Sequence, residues 1–245
     1  MTSHEPRAAS HGFFVTGTDT GVGKTVVACA LLHAFAARGL RVAGMKPVAA
    51  GAEVHGNRLQ NEDAEQLLAA TNVAVPMQLL NPYCLVSPIA PHIAAERARV
   101  TIELDRIAQC YAGLAALADV VIVEGVGGFC VPLGPAIDTA QLAARLALPV
   151  VMVVGMRLGC LNHALLTAEA IGKRRLPLAG WIANHVDPHM EAAEENVRAL
   201  EERLSAPLVS RVAYAPLAQP RSIASRLDLD RLRPGVGPQR ATQGE

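Results

Sequence analysis

The stretch GTDTGVGKT, residues 17–25, holds the densest set of chemically useful groups in this 245-residue chain. Backbone N–H groups of Gly21, Val22, Gly23, Lys24 and Thr25 can turn inward around a phosphate, because glycines accept backbone angles and approaches that side chains block. Lys24 brings a full positive charge to terminal phosphates, and the Thr25 hydroxyl is placed to ligate Mg²⁺. Five residues separate Gly17 from Gly23, where the common phosphate-loop pattern G-x-x-x-x-G-K-[ST] has four. The extra residue lengthens the entrance. The proximal half, residues 18–20, is expected to lean toward a second substrate while the distal half keeps the phosphate nest. The plain alternative is a glycine-rich turn that only joins strand to helix.

Other chemistry sits at the ends of apolar runs. Glu124 closes VVIVEG, where a carboxylate can hold Mg²⁺ opposite Thr25; it can equally be a solvated strand-end acid. The GVGG that follows is no dinucleotide fingerprint, since Cys130 stands where a third glycine belongs. Lys46, after the second apolar run and stiffened by Pro47, can neutralise charge on a transferred phosphoryl group or its acceptor, or else be a lysine at an ordinary strand end. Asp63 in NEDAEQL reads locally as a capping or surface residue. Asn184 ends GWIAN; its carboxamide matches the N6 and N7 edge of adenine, or else serves a turn before Asp187 and Pro188. His185, Asp187 and His189 invite a metal reading, which Pro188 opposes by breaking any helix that would align them.

These residues need a scaffold that brings strand ends together. The runs FFVTG, RVAGMKPV, DVVIVEG, PVVMVVG, LAGWIAN and APLVSRV alternate with longer helical patterns, and KTVVACALLHAFAARG follows the loop directly. Apolar runs without polar alternation fit strands covered on both faces, so the fold expected is α/β: a doubly wound, mostly parallel sheet with helices on both faces, of the P-loop NTP hydrolase-like kind. Ligands then collect at the carboxyl ends of the strands. One domain is expected over residues 12–232, with 1–11 and 233–245 as disordered tails. The proline-rich segment 79–91 is expected to be a long surface excursion.

Composition narrows the rest. Formal net charge is zero and just over half of the residues are apolar, so neither nucleic acid nor a membrane surface is an expected partner. No apolar run spans a bilayer and no signal peptide is visible, which points to the cytoplasm. The five cysteines are scattered without metal spacing and are expected reduced and buried, with Cys160 as the exposed exception.

Taken together, GTDTGVGKT, KPVAAG, NEDA, NPYCLVSP with PHIAA, VEGVGG, VVGMRLGCLNHALLTAEAI and GWIANHV resemble, in order and over most of the chain, the dethiobiotin synthetases. The lengthened loop is that family's own form. The resemblance implies an ATP- and Mg²⁺-dependent ligase of biotin biosynthesis acting on 7,8-diaminononanoate (7,8-diaminopelargonate) and CO₂ or bicarbonate. One amine captures CO₂ as a carbamate, ATP phosphorylates it, and the second amine closes the ureido ring with release of phosphate and ADP. It implies Lys46 as the catalytic residue and Thr25, Asp63 and Glu124 as metal ligands. The implied nucleotide site comprises Gly21, Val22, Gly23, Lys24, Thr25, Val26, Asp63, Glu124, Gly125, Val126, Gly127, Asn184, His185, Ala213, Tyr214 and Ala215. Thr18, Lys46, Ala50, Gly159, Cys160 and Asn162 are implied for the diamine. A homodimer is implied as well, with the substrate's carboxylate tail reaching residues 158–162 of the neighbouring subunit.

Two positions depart from the family pattern. Ala50 stands where the commoner form has serine, which removes a hydroxyl contact, and Ala213-Tyr214-Ala215 lacks the proline and bulky residues of the base segment. The main competing reading is a partitioning or positioning ATPase acting through protein partners. Such proteins carry a lysine five positions before the loop lysine, where this chain has Asp19. A cobalamin-type amide synthetase would need a further glutamine-hydrolysing domain, and a regulatory module without turnover would not need the lysine pair.

Overall fold

A computed structural model of the chain describes residues 11–56, 58–215 and 219–233. Its elements run β1 (His11–Gly17), α1 (Lys24–Ala37), β2 (Val42–Met45), β3 (Val48–Ala50), β4 (Glu53–His55), β5 (Arg58–Gln60), α2 (Glu62–Ala70), α3 (Met77–Leu80), β6 (Tyr83–Leu85), α4 (Pro91–Ala98), α5 (Leu104–Leu117) and β7 (Val120–Glu124). There follow α6 (Thr139–Leu146), β8 (Val150–Met156), α7 (Cys160–Lys173), β9 (Leu178–His185), α8 (Ala193–Arg203), β10 (Leu208–Val212), α9 (Pro220–Ala224) and a short 3-10 turn at Leu229–Arg231.

Six strands form one sheet in the order β10-β9-β8-β1-β7-β2, and every pair is parallel. Each of the six apolar runs read from the sequence supplies one of these strands. The strands are apolar on both faces because both are covered. Val15 and Ile122 pack with α1, α2 and α9, Phe14 and Val123 with α4, α5 and α6, and Val154 and Trp181 with α7 and α8. Helix α1 is apolar nearly all round, with Val27, Ala28, Cys29, Ala30, Leu31 and Leu32 all buried. It runs between the sheet and the covering helices α2 and α9, so it has no broad solvent face.

The chain visits β2 at one edge, returns to β7, and then crosses β1 to reach β8, β9 and β10. The strand order therefore switches direction at β1, and the crevice of a doubly wound sheet opens at the carboxyl end of that strand. The loop 17–25 begins there. Register adds the rest: Glu124 lies opposite Val15, Met45 opposite Val123, and Asn184 opposite Gly155. Lys46, one residue beyond Met45, is thereby brought beside Glu124.

Three expectations change. Residues 1–10 and 234–245 lie outside the described residues, but His11 opens β1 opposite Val120 and the Arg233 N–H donates to the Ala179 carbonyl at 3.1 Å, so both boundary residues belong to the fold. RVAGMKPV is not one strand: it ends at Met45, turns at Lys46 and Pro47, and restarts as β3, which pairs with β6. That pairing also corrects the reading of 79–91 as a surface excursion, because Leu80, Asn81, Tyr83 and Leu85 are buried. The segment runs from the end of α3 to the first residue of α4, and between them, where Pro82 and Pro88 oppose a helix, the short β3–β6 pairing satisfies backbone groups instead.

Since Leu31 is fully buried against the sheet, Leu31→Ala should lower unfolding free energy by about 2–5 kcal/mol. Urea denaturation followed by circular dichroism checks it, and a midpoint unchanged from wild type would contradict the packing described.

Candidate active site

The loop between β1 and α1 is held from several sides. Gly23 is the residue before the helix, at φ 84°, a left-handed conformation that glycine adopts without strain. Val22 is 1% exposed, and its side chain fills a slot between Gly17 and Gly155, where an added Cβ would meet Val22 at 2.6 Å on either side. Asp19 anchors the entrance: its carboxylate accepts from the Thr20 N–H (2.7 Å) and pairs with Arg157 from the loop after β8. The Asp19 carbonyl accepts from Lys24 Nζ at 2.9 Å. Lys24 is thus turned back across its own loop. Burial, and next the nearby Lys46 ammonium, lower Lys24 to about 8.

Beside the loop lies a closed ring of polar groups. Lys46 Nζ donates to Glu124 Oε1 at 2.6 Å and to Asp63 Oδ2 at 2.7 Å. The Thr25 hydroxyl lies 2.8 Å from Glu124 Oε1 and 2.9 Å from Asp63 Oδ1. Lys46 and Glu124 are buried, while Asp63 is partly open to solvent. Burial works against the Lys46 charge, but Glu124 and Asp63 outweigh it and hold the ammonium above its ordinary value. Burial pushes the Glu124 carboxyl up against the pull of Lys46. Asp63 also loses solvent, yet Lys46 and the Thr25 hydroxyl bring it below the usual carboxylate range.

The donor set suits a small hard cation. Thr25 has one hydroxyl proton for two carboxylate contacts, so one of its short O···O contacts has no proton of its own. Glu124 Oε2 is buried without a hydrogen-bond partner, and a buried carboxylate oxygen left unpaired is costly. Hydroxyl and carboxylate oxygens beside a phosphate loop are the ligands Mg²⁺ takes. Among the described residues no group of three or more His, Cys, Asp and Glu side chains could hold a metal; this cluster has two carboxylates and completes itself with Thr25.

Two asparagines that the sequence reading passed over set the ring's geometry. Asn61 caps α2 by accepting from the Ala64 N–H at 3.3 Å. The capping role therefore falls to Asn61, and Asp63, two residues later, is free to face Lys46 and Thr25. Asn81 Nδ2 donates to the Lys46 carbonyl at 2.6 Å, and the Lys46 N–H donates to the Leu80 carbonyl at 2.8 Å. Both main-chain groups of Lys46 are thereby held, and its side chain is aimed. An Asn-Pro pair ahead of Tyr83 was the only signal available.

A cleft of about 300 Å³ adjoins the loop, lined by Gly21, Gly23, Val26, Asn184, His185, Val186, Val212, Ala213, Tyr214 and Ala215. The residues singled out for a nucleotide base thus converge on one hollow. The turn at Gly125, Val126 and Gly127 returns against the loop entrance, with Gly127 beside Thr20 and the Gly125 N–H bonded to Val15 at 2.9 Å. Thr18 is tied to β8: its N–H donates to Val153 at 3.0 Å and its hydroxyl accepts from the Gly155 N–H at 3.4 Å. Ala50 ends β3. Gly159 and Asn162 are exposed at the start of α7, beside Leu158, which is 96% exposed. Cys160 is buried and Cys130 is the exposed thiol, contrary to expectation, because Cys160 is the first residue of α7 and points into its packing. Asp187 accepts from the His189 N–H at 2.9 Å, closing the turn between the two histidines.

Residues 11–222 match a family model described as an AAA domain. The chain is 55% identical over 221 residues to the ATP-dependent dethiobiotin synthetase of Nitrosospira multiformis, covering 90% of this chain and 96% of that one. It is 56% identical over 225 residues to the same enzyme of Aromatoleum aromaticum, covering 92% and 98%. In structure it is similar to a septum site-determining protein MinD solved with Mg-ADP from Pyrococcus horikoshii, with TM-score 0.55 at 12% identity over 91% and 88% of the two chains. A ParA family ATPase of Chlorobium tepidum matches with TM-score 0.54 at 17% identity over 91% and 92%. At those identities the structural likeness speaks for the fold alone.

The ring makes two measurable demands. Lys46→Met leaves Glu124 buried without its cation, which should cost about 3–5 kcal/mol of stability near neutral pH. Because burial raises Glu124, the folded variant binds a proton that the unfolded chain does not, so its stability should recover relative to wild type as pH falls toward the ordinary carboxylate range. Urea midpoints in EDTA at several pH values test this; a deficit that widens on acidification would contradict it. Secondly, Lys24 sits at about 8, and an arriving polyanion favours its charged form. Nucleotide binding near that pH should take up a proton, read as a buffer-dependent binding enthalpy, and identical enthalpies in buffers of different ionisation heat would contradict it.

Proposed function

Because the chain belongs to the dethiobiotin synthetase family, we propose that it closes the ureido ring of dethiobiotin from 7,8-diaminononanoate, CO₂ and ATP with Mg²⁺. The observation that supports this beyond kinship is the ring of Lys46, Glu124, Asp63 and Thr25 at the mouth of the phosphate loop. It gathers a buried cation and three oxygen ligands within two hydrogen bonds of the loop helix.

In this reading the amides of the loop and Lys24 hold the triphosphate, and the cleft at Asn184, His185 and Tyr214 takes the base. Thr25, Asp63 and Glu124 hold Mg²⁺, which when bound neutralises charge on the phosphates. One amine of the diamine attacks CO₂ and loses a proton, giving a carbamate. The carbamate oxygen attacks the γ-phosphorus, ADP leaves, and the second amine attacks the carbonyl carbon with phosphate as leaving group. Lys46 stabilises the negative charge of the carbamate and of the phosphoryl group in transfer. Little covalent work falls to the protein, so alignment and fixed charge supply the acceleration. Ala50 can offer only backbone contact where a serine would add a hydroxyl.

The exposed Leu158, Gly159 and Asn162 at the start of α7 form the surface we assign to a two-fold partner, whose substrate's carboxylate tail would meet the helix N-terminus. No helix among the described residues is long and apolar enough to cross a membrane, and a cytoplasmic location is part of the same proposal. A partitioning-type ATPase shares the fold, but the two relatives described above, each more than half identical to this chain, are dethiobiotin synthetases. Asp19, at that class's signature-lysine position, is here committed to Arg157 and, through its carbonyl, to Lys24.

With diamine, ATP, Mg²⁺ and bicarbonate, mass analysis should show the cyclised product with one phosphate released per ring. Lys46→Ala should lower turnover by about a hundredfold or more while leaving ATP affinity within a few-fold. Phosphate release independent of the diamine would overturn the assignment.

A further inference from the structure

We infer that Asn184 is a positioning residue for the phosphate loop, acting through the Val22 carbonyl to turn the Gly23 N–H into the phosphate cup. This rests on the proposed use of the loop for a nucleoside triphosphate, and adds a role that base recognition does not require.

Asn184 Nδ2 donates to the Val22 carbonyl at 2.8 Å, across 162 residues of sequence, and the bond is buried. The carbonyl only accepts, so the nitrogen of the carboxamide must face it. A trans peptide places its C=O and N–H on opposite sides, and this one joins Val22 to Gly23. Holding the carbonyl outward therefore points the Gly23 N–H the other way, toward the concave side of the loop. Val22 cannot rotate to escape, because Gly17 and Gly155 close on its side chain. Gly23 is fitted to the same amide: a Cβ there would stand 2.2 Å from Asn184 Nδ2.

The bond has no part in the sheet. Asn184 pairs with Gly155 and Val212 on its two sides in the parallel ladder, which rests on the main chain, so the carboxamide is free for the loop. It keeps Oδ1 and a second N–H, and Asn184 borders the 300 Å³ cleft. One side chain thus joins the hollow for a base to the amides for phosphates, and ordering either should favour the other.

A ligand without a base separates this role from base recognition. Calorimetric titration with magnesium tripolyphosphate, and in parallel with magnesium ATP, should show both weakened roughly 5- to 100-fold in Asn184→Ala and Asn184→Asp. The aspartate keeps the shape but cannot donate to Val22. Tripolyphosphate affinity equal to wild type, with ATP alone weakened, would overturn the inference. If the variants do not fold, the wild-type chain carries the test: tripolyphosphate should shift the Gly23 amide resonance along with those of Lys24 and Thr25, and an unmoved Gly23 amide would overturn it. Neither arm reads product, so a failure of the synthetase assignment and a failure of this one are distinguishable.

Discussion

The site depends on one buried contact: the Lys46 ammonium held between Glu124 and Asp63. Glu124 is 1% exposed at a strand end in the sheet interior, where an unpaired carboxylate would take up a proton and cease to be a useful ligand. Lys46 in the same place would lose its charge without the two carboxylates. Each group keeps the other in the state that the proposed reaction needs. The arrangement is poised rather than saturated, because Glu124 Oε2 and the second contact of the Thr25 hydroxyl have no proton to share.

Sheet topology brings Lys46 and Glu124 to neighbouring strand ends. β1 lies where the strand order reverses, β7 brings Glu124 to one side of it, and the register of β2 against β7 carries Lys46 alongside. On the other side, β8 supplies Gly155 to seat Val22, and β9 supplies Asn184 to hold the Val22 carbonyl. Adjacent strands thus each add one constraint to the same loop. Asn81 and Asn61 complete the frame from outside the main sheet, one fixing the Lys46 backbone and the other relieving Asp63 of capping.

Much of this was legible in the residues because the chemistry lies at ends of strands that announce themselves. Apolar runs located all six strands of the sheet; Lys24 follows one by a short loop, Lys46 follows another directly, and Glu124 closes a third. Asp63 was ambiguous, since an acid in the first turn of a helix caps as readily as it ligates; its sequence context does not show that Asn61 takes the cap and leaves Asp63 to face Lys46 and Thr25. Asn81 was invisible because a side-chain bond to a backbone carbonyl 35 residues away leaves no periodicity. The segment 79–91 was misplaced for a related reason. Proline opposes a helix but says nothing of short strand pairing, and burial there follows from a partner, β3, formed only once the chain breaks at Pro47. Cys160 was misjudged because a loop position and the first turn of a helix look alike in sequence, although one is exposed and the other packs.

The most direct test is a crystal structure with Mg-ADP and the diamine carbamate. The expected result is a metal ion held by oxygens of Thr25, Asp63 and Glu124, phosphates within the amides of residues 21–25, and the Lys46 ammonium against the carbamate. Phosphates bound outside the loop, or a metal elsewhere while Lys46 still bridges Asp63 and Glu124, would contradict it.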